Sequence, residues 1–117
     1  MLSHDHSIAL IKEYAGGEIW IKHCFAVANS ALILGSILKN YRPLDLEFLW
    51  SSALLHDIGR YVTHDPIQHG VEGYKLLTQL GYNNEAYVCA SHILFGLDAT
   101  EAKHVGLLCG VRPIRFI

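Results

Sequence analysis

The chain has 117 residues, 51% of them hydrophobic and 17% charged, and a formal net charge of −2 that leaves its eight histidines uncounted. So apolar a composition excludes a disordered chain, and the near-neutral balance excludes both the basic footprint of a nucleic-acid binder and an acidic solvating tail. This length predicts one domain spanning residues 1–117.

The elements, in chain order, are all helical. Ile8, Ala9, Ile11 and Lys12 have helix-compatible spacing within residues 4–15, and Gly16-Gly17 ends that segment. A long helix is predicted from about Glu18 to Lys39, with Ile19, His23, Ala26, Val27, Ala31, Leu34 and Leu38 on one stripe, so that His23 faces inward. Asn40-Tyr41-Arg42-Pro43 breaks it. Asp45 caps a third helix that runs to the doublet His56-Asp57 and stops at Gly59. After a loop at 60–65, Asp65-Pro66 opens a fourth helix, which Gly81 terminates. Asn83 or Asn84 caps a fifth, through Tyr87, Val88, Ser91 and His92, and Asp98 with Glu101 starts a short sixth to about Val105. No segment alternates with period two, so the expected fold class is all-α, a helical bundle of about six helices.

Cys24, Cys89 and Cys109 are odd in number and far apart, which points to reduced thiols in a cytoplasmic protein. The N-terminus lacks the order of a signal peptide, and the apolar run from Cys24 to Leu38 is shorter than the roughly 20 residues of a membrane span. No membrane partner and no nucleic-acid groove are expected.

The chemistry lies in the histidines. A His-Asp doublet is weak evidence alone, because this sequence has three: His4-Asp5, His56-Asp57 and His64-Asp65. Only the middle one ends an apolar helix, where an imidazole and a carboxylate are costly to bury without a partner. A metal ion would satisfy both, and His23, His69 and His92 arrive from three other helices as further ligands. Taken singly, His23 is more commonly a hydrogen-bonded core residue, and His69 and His92 partly exposed ones. As a set with His56 and Asp57 they fit a metal centre, and a mixture of imidazole and carboxylate suits Zn, Fe, Mn or Ni alike.

The order His23, His56-Asp57-Ile58-Gly59, His69-Gly70-x-x-Gly73, His92-x-x-x-Gly96 resembles the HD-domain superfamily of metal-dependent phosphohydrolases, in its HDIG subgroup. The block around His69 and His92 is similar to small HD proteins that include the symmetrical diadenosine-tetraphosphate hydrolases. The resemblance covers about residues 18–105, the core of the domain, and implies a compact bundle holding one or two divalent transition ions (Mn, Fe, Co, Ni or Zn). His23, His56 and Asp57 would bind the first ion, with Asp57 able to bridge, and His69 and His92 would bind a second or contact the substrate phosphate. Arg60 stands where relatives are often basic, and its planar donor fork suits a phosphoryl oxygen; a solvated loop cation is the plainer reading. The family's pattern ends on an aspartate in a later helix, and this sequence has no match, since Asp98, the only aspartate after His92, is explained as a helix cap. A truncated chain, a natural short form and a site without catalysis all fit that gap, and apolar surface left by a missing C-terminal helix predicts a homo-oligomer.

Two functions follow. One is an enzyme hydrolysing a nucleotide or related small phosphoester through metal-activated water. The alternative is a non-catalytic or impaired HD module that binds metal, nucleotide or protein for regulation or assembly. A di-iron oxygenase, as in some HD relatives, needs a full ligand set and ranks last.

Overall fold

A computed structural model describes residues 2–92, and no strand occurs among them. The elements are α1 (His4–Ala15), α2 (Ile21–Leu38), α3 (Leu46–Leu55), a 3-10 turn (Ile58–Tyr61), α4 (Gln68–Gln79) and α5 (Asn83–Ser91). The all-α expectation holds, while the sixth helix expected at Asp98–Val105 lies outside the described residues. The chain divides into two units, 1–55 and 56–117.

In the first unit, α1 begins where Ser3 Oγ accepts the His6 N–H at 3.1 Å, satisfying one of the amides that open a helix. It ends at Gly16, whose φ of +58° is a conformation that favours glycine. Asp45 caps α3 as its sequence position requires, accepting the Phe48 N–H at 3.0 Å. Leu10, Ile11, Trp50, Leu54 and Leu55 are buried in this unit.

The buried face of α2 differs from the predicted stripe. Ile19, Leu34 and Leu38 are exposed, as are His23 and Ala26, whereas Cys24, Ala28 and Gly35 are buried. No Asp, Glu, Lys or Arg interrupts the helix between Lys22 and Lys39, so hydrophobic periodicity had no polar face to contrast with the apolar one. Packing chose the smallest side chains instead. Leu49 and Leu46 of α3 reach within 2.5 and 2.9 Å of where a Cβ on Gly35 would stand. The other side of α2 carries an open groove of about 380 Å³ lined by Ala26, Val27, Ser30, Ala31 and Leu34.

The second unit positions the chemistry. Here α3 stops at Leu55 instead of reaching the doublet, and His56 and Asp57 occupy the turn that follows. The chain then tightens, with the Arg60 N–H donated to the Asp57 carbonyl at 2.9 Å. Gly59 is therefore not a helix stop but part of the 3-10 turn. A Cβ there would overlap the His69 carbonyl and stand 2.6 Å from Gly73 N, so glycine is what lets the turn lie on the α4 backbone. Asp65 caps α4, taking the Ile67 and Gln68 N–H groups at 2.9 and 2.8 Å, and Gly81 ends it at φ +89°. Neither Asn83 nor Asn84 caps α5: Asn83 is its first helical residue, after Tyr82, which supplies no side-chain cap. Ile58, Val71, Leu77, Ala86 and Cys89 are fully buried in this unit.

Candidate metal centre

His69 stands in the first turn of α4, and His92 follows the last residue of α5. Each commits one ring nitrogen to the main chain: His69 Nδ1 lies 2.8 Å from the Asp65 carbonyl, and His92 Nδ1 lies 2.7 Å from the Cys89 carbonyl. A carbonyl only accepts, so both Nδ1 atoms carry protons and each neutral ring keeps its lone pair on Nε2. Those tautomers are assigned from the contacts. Outer hydrogen bonds of this kind are how proteins orient metal-binding imidazoles.

The two lone pairs converge. His69 Nε2 and His92 Nε2 are 3.0 Å apart, and they lie 2.9 and 3.1 Å from the same oxygen, Asp57 Oδ1. Three electron-pair donors this close repel one another unless a cation or a proton lies among them. Sides of 2.9 to 3.1 Å are separations that donors around one small cation would adopt.

Asp57 is buried, and its second oxygen meets other partners. Oδ2 lies 3.3 Å from His56 Nε2 and 3.4 Å from Arg60 Nε. Burial alone would push this carboxyl up. With no cation among the donors, a proton on these rings takes its place: hydrogen bonds from His56 and His92 in that protonated form, together with their charge, outweigh burial and hold the carboxyl well below the usual carboxylate range. The carboxylate is thus an anion throughout ordinary pH, with one oxygen toward the His69–His92 pair and the other toward His56 and Arg60. That two-sided placement is what a bridging ligand needs.

Five residues singled out in the sequence, His56, Asp57, Arg60, His69 and His92, gather within the second unit. His23 belongs to the first, on α2, where it is exposed rather than on an inward face. Two contributors were missed. Asp65 was read only as a cap, yet its main-chain carbonyl also orients His69, a role that no side-chain identity announces. His64, set aside with the other doublets, has its Nδ1 3.3 Å from Arg60 Nη1.

Comparison with known proteins bears on this geometry. Residues 20–105 match the family model described as the HD domain. The uncharacterized protein MJ0778 of Methanocaldococcus jannaschii is 33% identical over 108 residues, which cover 91% of this chain and 63% of that protein. The tRNA (cytidine(56)-2'-O)-methyltransferase of Picrophilus torridus is 26% identical over 104 residues, 88% of this chain and 29% of that enzyme. The chain thus spans less than two thirds of the length of either relative. No solved structure matches it.

Proposed function

We propose, from the premise that this chain belongs to the HD-domain family, that it is a metal-dependent phosphohydrolase acting on a nucleotide or a related small phosphoester. The observation that carries the reading is the triangle of Asp57 Oδ1, His69 Nε2 and His92 Nε2, with sides of 2.9 to 3.1 Å. The likeness to the HDIG subgroup and to the small diadenosine-tetraphosphate hydrolases supports a nucleotide as the substrate class.

In this reading Asp57, His69 and His92 would hold a divalent ion, and the sequence motif adds His23 and His56 to the ligand set. A bound ion lowers the pKa of coordinated water toward neutrality and polarises a phosphoryl oxygen. The protein's own groups do the rest. Asp57 supplies fixed negative charge, the Asp65 and Cys89 carbonyls keep two imidazoles aimed, and Arg60 neutralises developing charge on the phosphoryl group. A donor set of imidazole and carboxylate would suit Mn, Fe, Co, Ni or Zn alike.

The test is elemental analysis of purified protein, followed by a phosphate-release screen on nucleotides and phosphomonoesters with added Mn, Fe, Co and Ni. Turnover that Asp57→Ala abolishes supports the enzyme. Bound metal without turnover favours a second reading, a non-catalytic module within a larger assembly. One observation speaks for that alternative: the segment similar to this chain makes up only 29% of the Picrophilus torridus methyltransferase.

A further inference from the structure

Arg60 is held at two points. Its Nε lies 3.4 Å from Asp57 Oδ2, and its Nη1 lies 3.3 Å from His64 Nδ1. A guanidinium can only donate, so Nδ1 of His64 accepts and that ring carries its proton on Nε2. The Nε–H of Arg60 is buried and makes no well-directed hydrogen bond. Its contact with Asp57 is therefore chiefly charge attraction, which does not fix how the planar group is rotated. The second contact does.

His64 is well placed to act as a fixed point, because the loop that carries it is tied down. Thr63 Oγ1 accepts the Asp65 N–H at 3.2 Å, and the Asp65 carboxylate takes the first amides of α4 at 2.9 and 2.8 Å. The same residue lends its carbonyl to His69 at 2.8 Å. One short loop thus sets both an imidazole of the metal centre and the partner of Arg60. Neither contact of Arg60 uses Nη2, whose two N–H groups remain for a ligand, and the side chain is 30% exposed.

We propose that His64 is a positioning residue that locks the rotation of Arg60, so that Nη2 meets a phosphoryl oxygen beside Asp57 in a set orientation. The phosphate part of this inference rests on the phosphohydrolase reading; the lock on Arg60 does not. Freely rotating cations still attract a phosphate, but a locked one also orients it, and orientation is what an in-line displacement requires.

The experiment compares the wild type with His64→Ala, His64→Asn, Arg60→Ala and the double variant His64→Ala/Arg60→Ala. An Asn Oδ1 occupies nearly the place of the histidine Nδ1 and also accepts, so His64→Asn keeps the contact without the ring. Side-chain 15N NMR reads the Arg60 Nε–H signal in metal-free protein. It should be sharp and distinct in the wild type and in His64→Asn, and averaged in His64→Ala. Inorganic phosphate is then titrated into Mn-loaded protein. His64→Ala should weaken binding by about 10-fold, as expected for one charge-assisted contact, His64→Asn should recover most of it, and the double variant should bind no worse than Arg60→Ala. An unchanged Nε–H signal in His64→Ala overturns the lock, as do additive losses in the double variant. A wild type that binds Mn but not phosphate overturns the functional reading and the phosphate half of this inference together, and the NMR contrast still judges the lock by itself.

Discussion

Replacing Gly59 by alanine probes a residue that supports the candidate metal centre without being one of its donors. A Cβ at this position would overlap the His69 carbonyl oxygen and stand 2.6 Å from Gly73 N and 2.7 Å from the His69 carbonyl carbon. Carbon contacts are favourable at ~3.5–4.0 Å, and the overlap with the His69 oxygen is the tightest, so the 3-10 turn must retreat from α4 by roughly 1.5–2 Å. All three obstructing atoms are main chain, and no rotamer change can clear them. Overpacking of this kind costs ~3 kcal/mol, the upper part of its usual range. At ~4 °C per kcal/mol for a chain of this size, the midpoint of thermal unfolding should fall by ~12 °C. Two other glycines calibrate the effect. Gly73→Ala meets the Cys89 side chain at 3.0 and 3.3 Å and Gly59 N at 3.3 Å, for a cost of ~1 kcal/mol. Gly17→Ala meets nothing within 4 Å and should stay within ~0.5 kcal/mol of the wild type. The retreat in Gly59→Ala also moves His69 relative to Asp57, so Mn affinity should fall by ~10–100-fold, as when an outer support of a metal ligand is lost. Calorimetry and Mn titration give both readouts. If Gly59→Ala melts within a few degrees of the wild type with its Mn affinity intact, or if Gly73→Ala is the worse variant, the reasoning fails.

Removing a ligand should act more strongly than disturbing its support. His69→Ala and His92→Ala should each weaken Mn binding by more than ~100-fold, and elemental analysis after dialysis should find the ion gone. Retention of full occupancy by either variant would remove that histidine from the centre. For Asp65, hydrogen bonds from the Gln68 and Ile67 amides hold the carboxyl below its ordinary value. A depressed pKa in the folded state contributes stability above the unfolded value of ~3.9 and loses it as pH falls through the folded value. Asp65→Ala should therefore melt earlier than the wild type at neutral pH, and the gap should close in acid; a gap independent of pH would contradict the cap.

What could be read from the residues depended on whether each had a contrast to show. Gly16, Asp45, Asp65 and Gly81 announced helix ends because capping and left-handed turns demand particular side chains. Cys24, Ala28 and Gly35 announced nothing, since a helix without Asp, Glu, Lys or Arg between Lys22 and Lys39 leaves its buried face to be settled by the partner helix. His56, Asp57, His69 and His92 were legible as a set through their spacing in the chain. The turn that carries the first two was not, because a short 3-10 segment has too few residues to show a period. His64 was hidden for a related reason: its partner Arg60 is four residues away across an irregular turn, where no helical rule links the two.

The arrangement around Asp57 has a consequence for how this unit folds. Two neutral imidazoles, each with its proton tied to a carbonyl at 2.8 or 2.7 Å, are made to face a carboxylate and each other. With neither a cation nor a proton among them, the native state must tolerate three converging lone pairs, which lowers its stability relative to the unfolded chain. An ion bound only by the native state adds stability through mass action, by about 2.7 kcal/mol when its concentration is about 100 times its dissociation constant. Because the cluster draws together the turn after α3, the first turn of α4 and the end of α5, that gain is shared by residues 56–92. Chelation should thus lower the melting temperature of the wild type markedly and that of Asp57→Ala hardly at all. Equal sensitivity of the two to a chelator would show that the triangle is not where metal and folding are coupled.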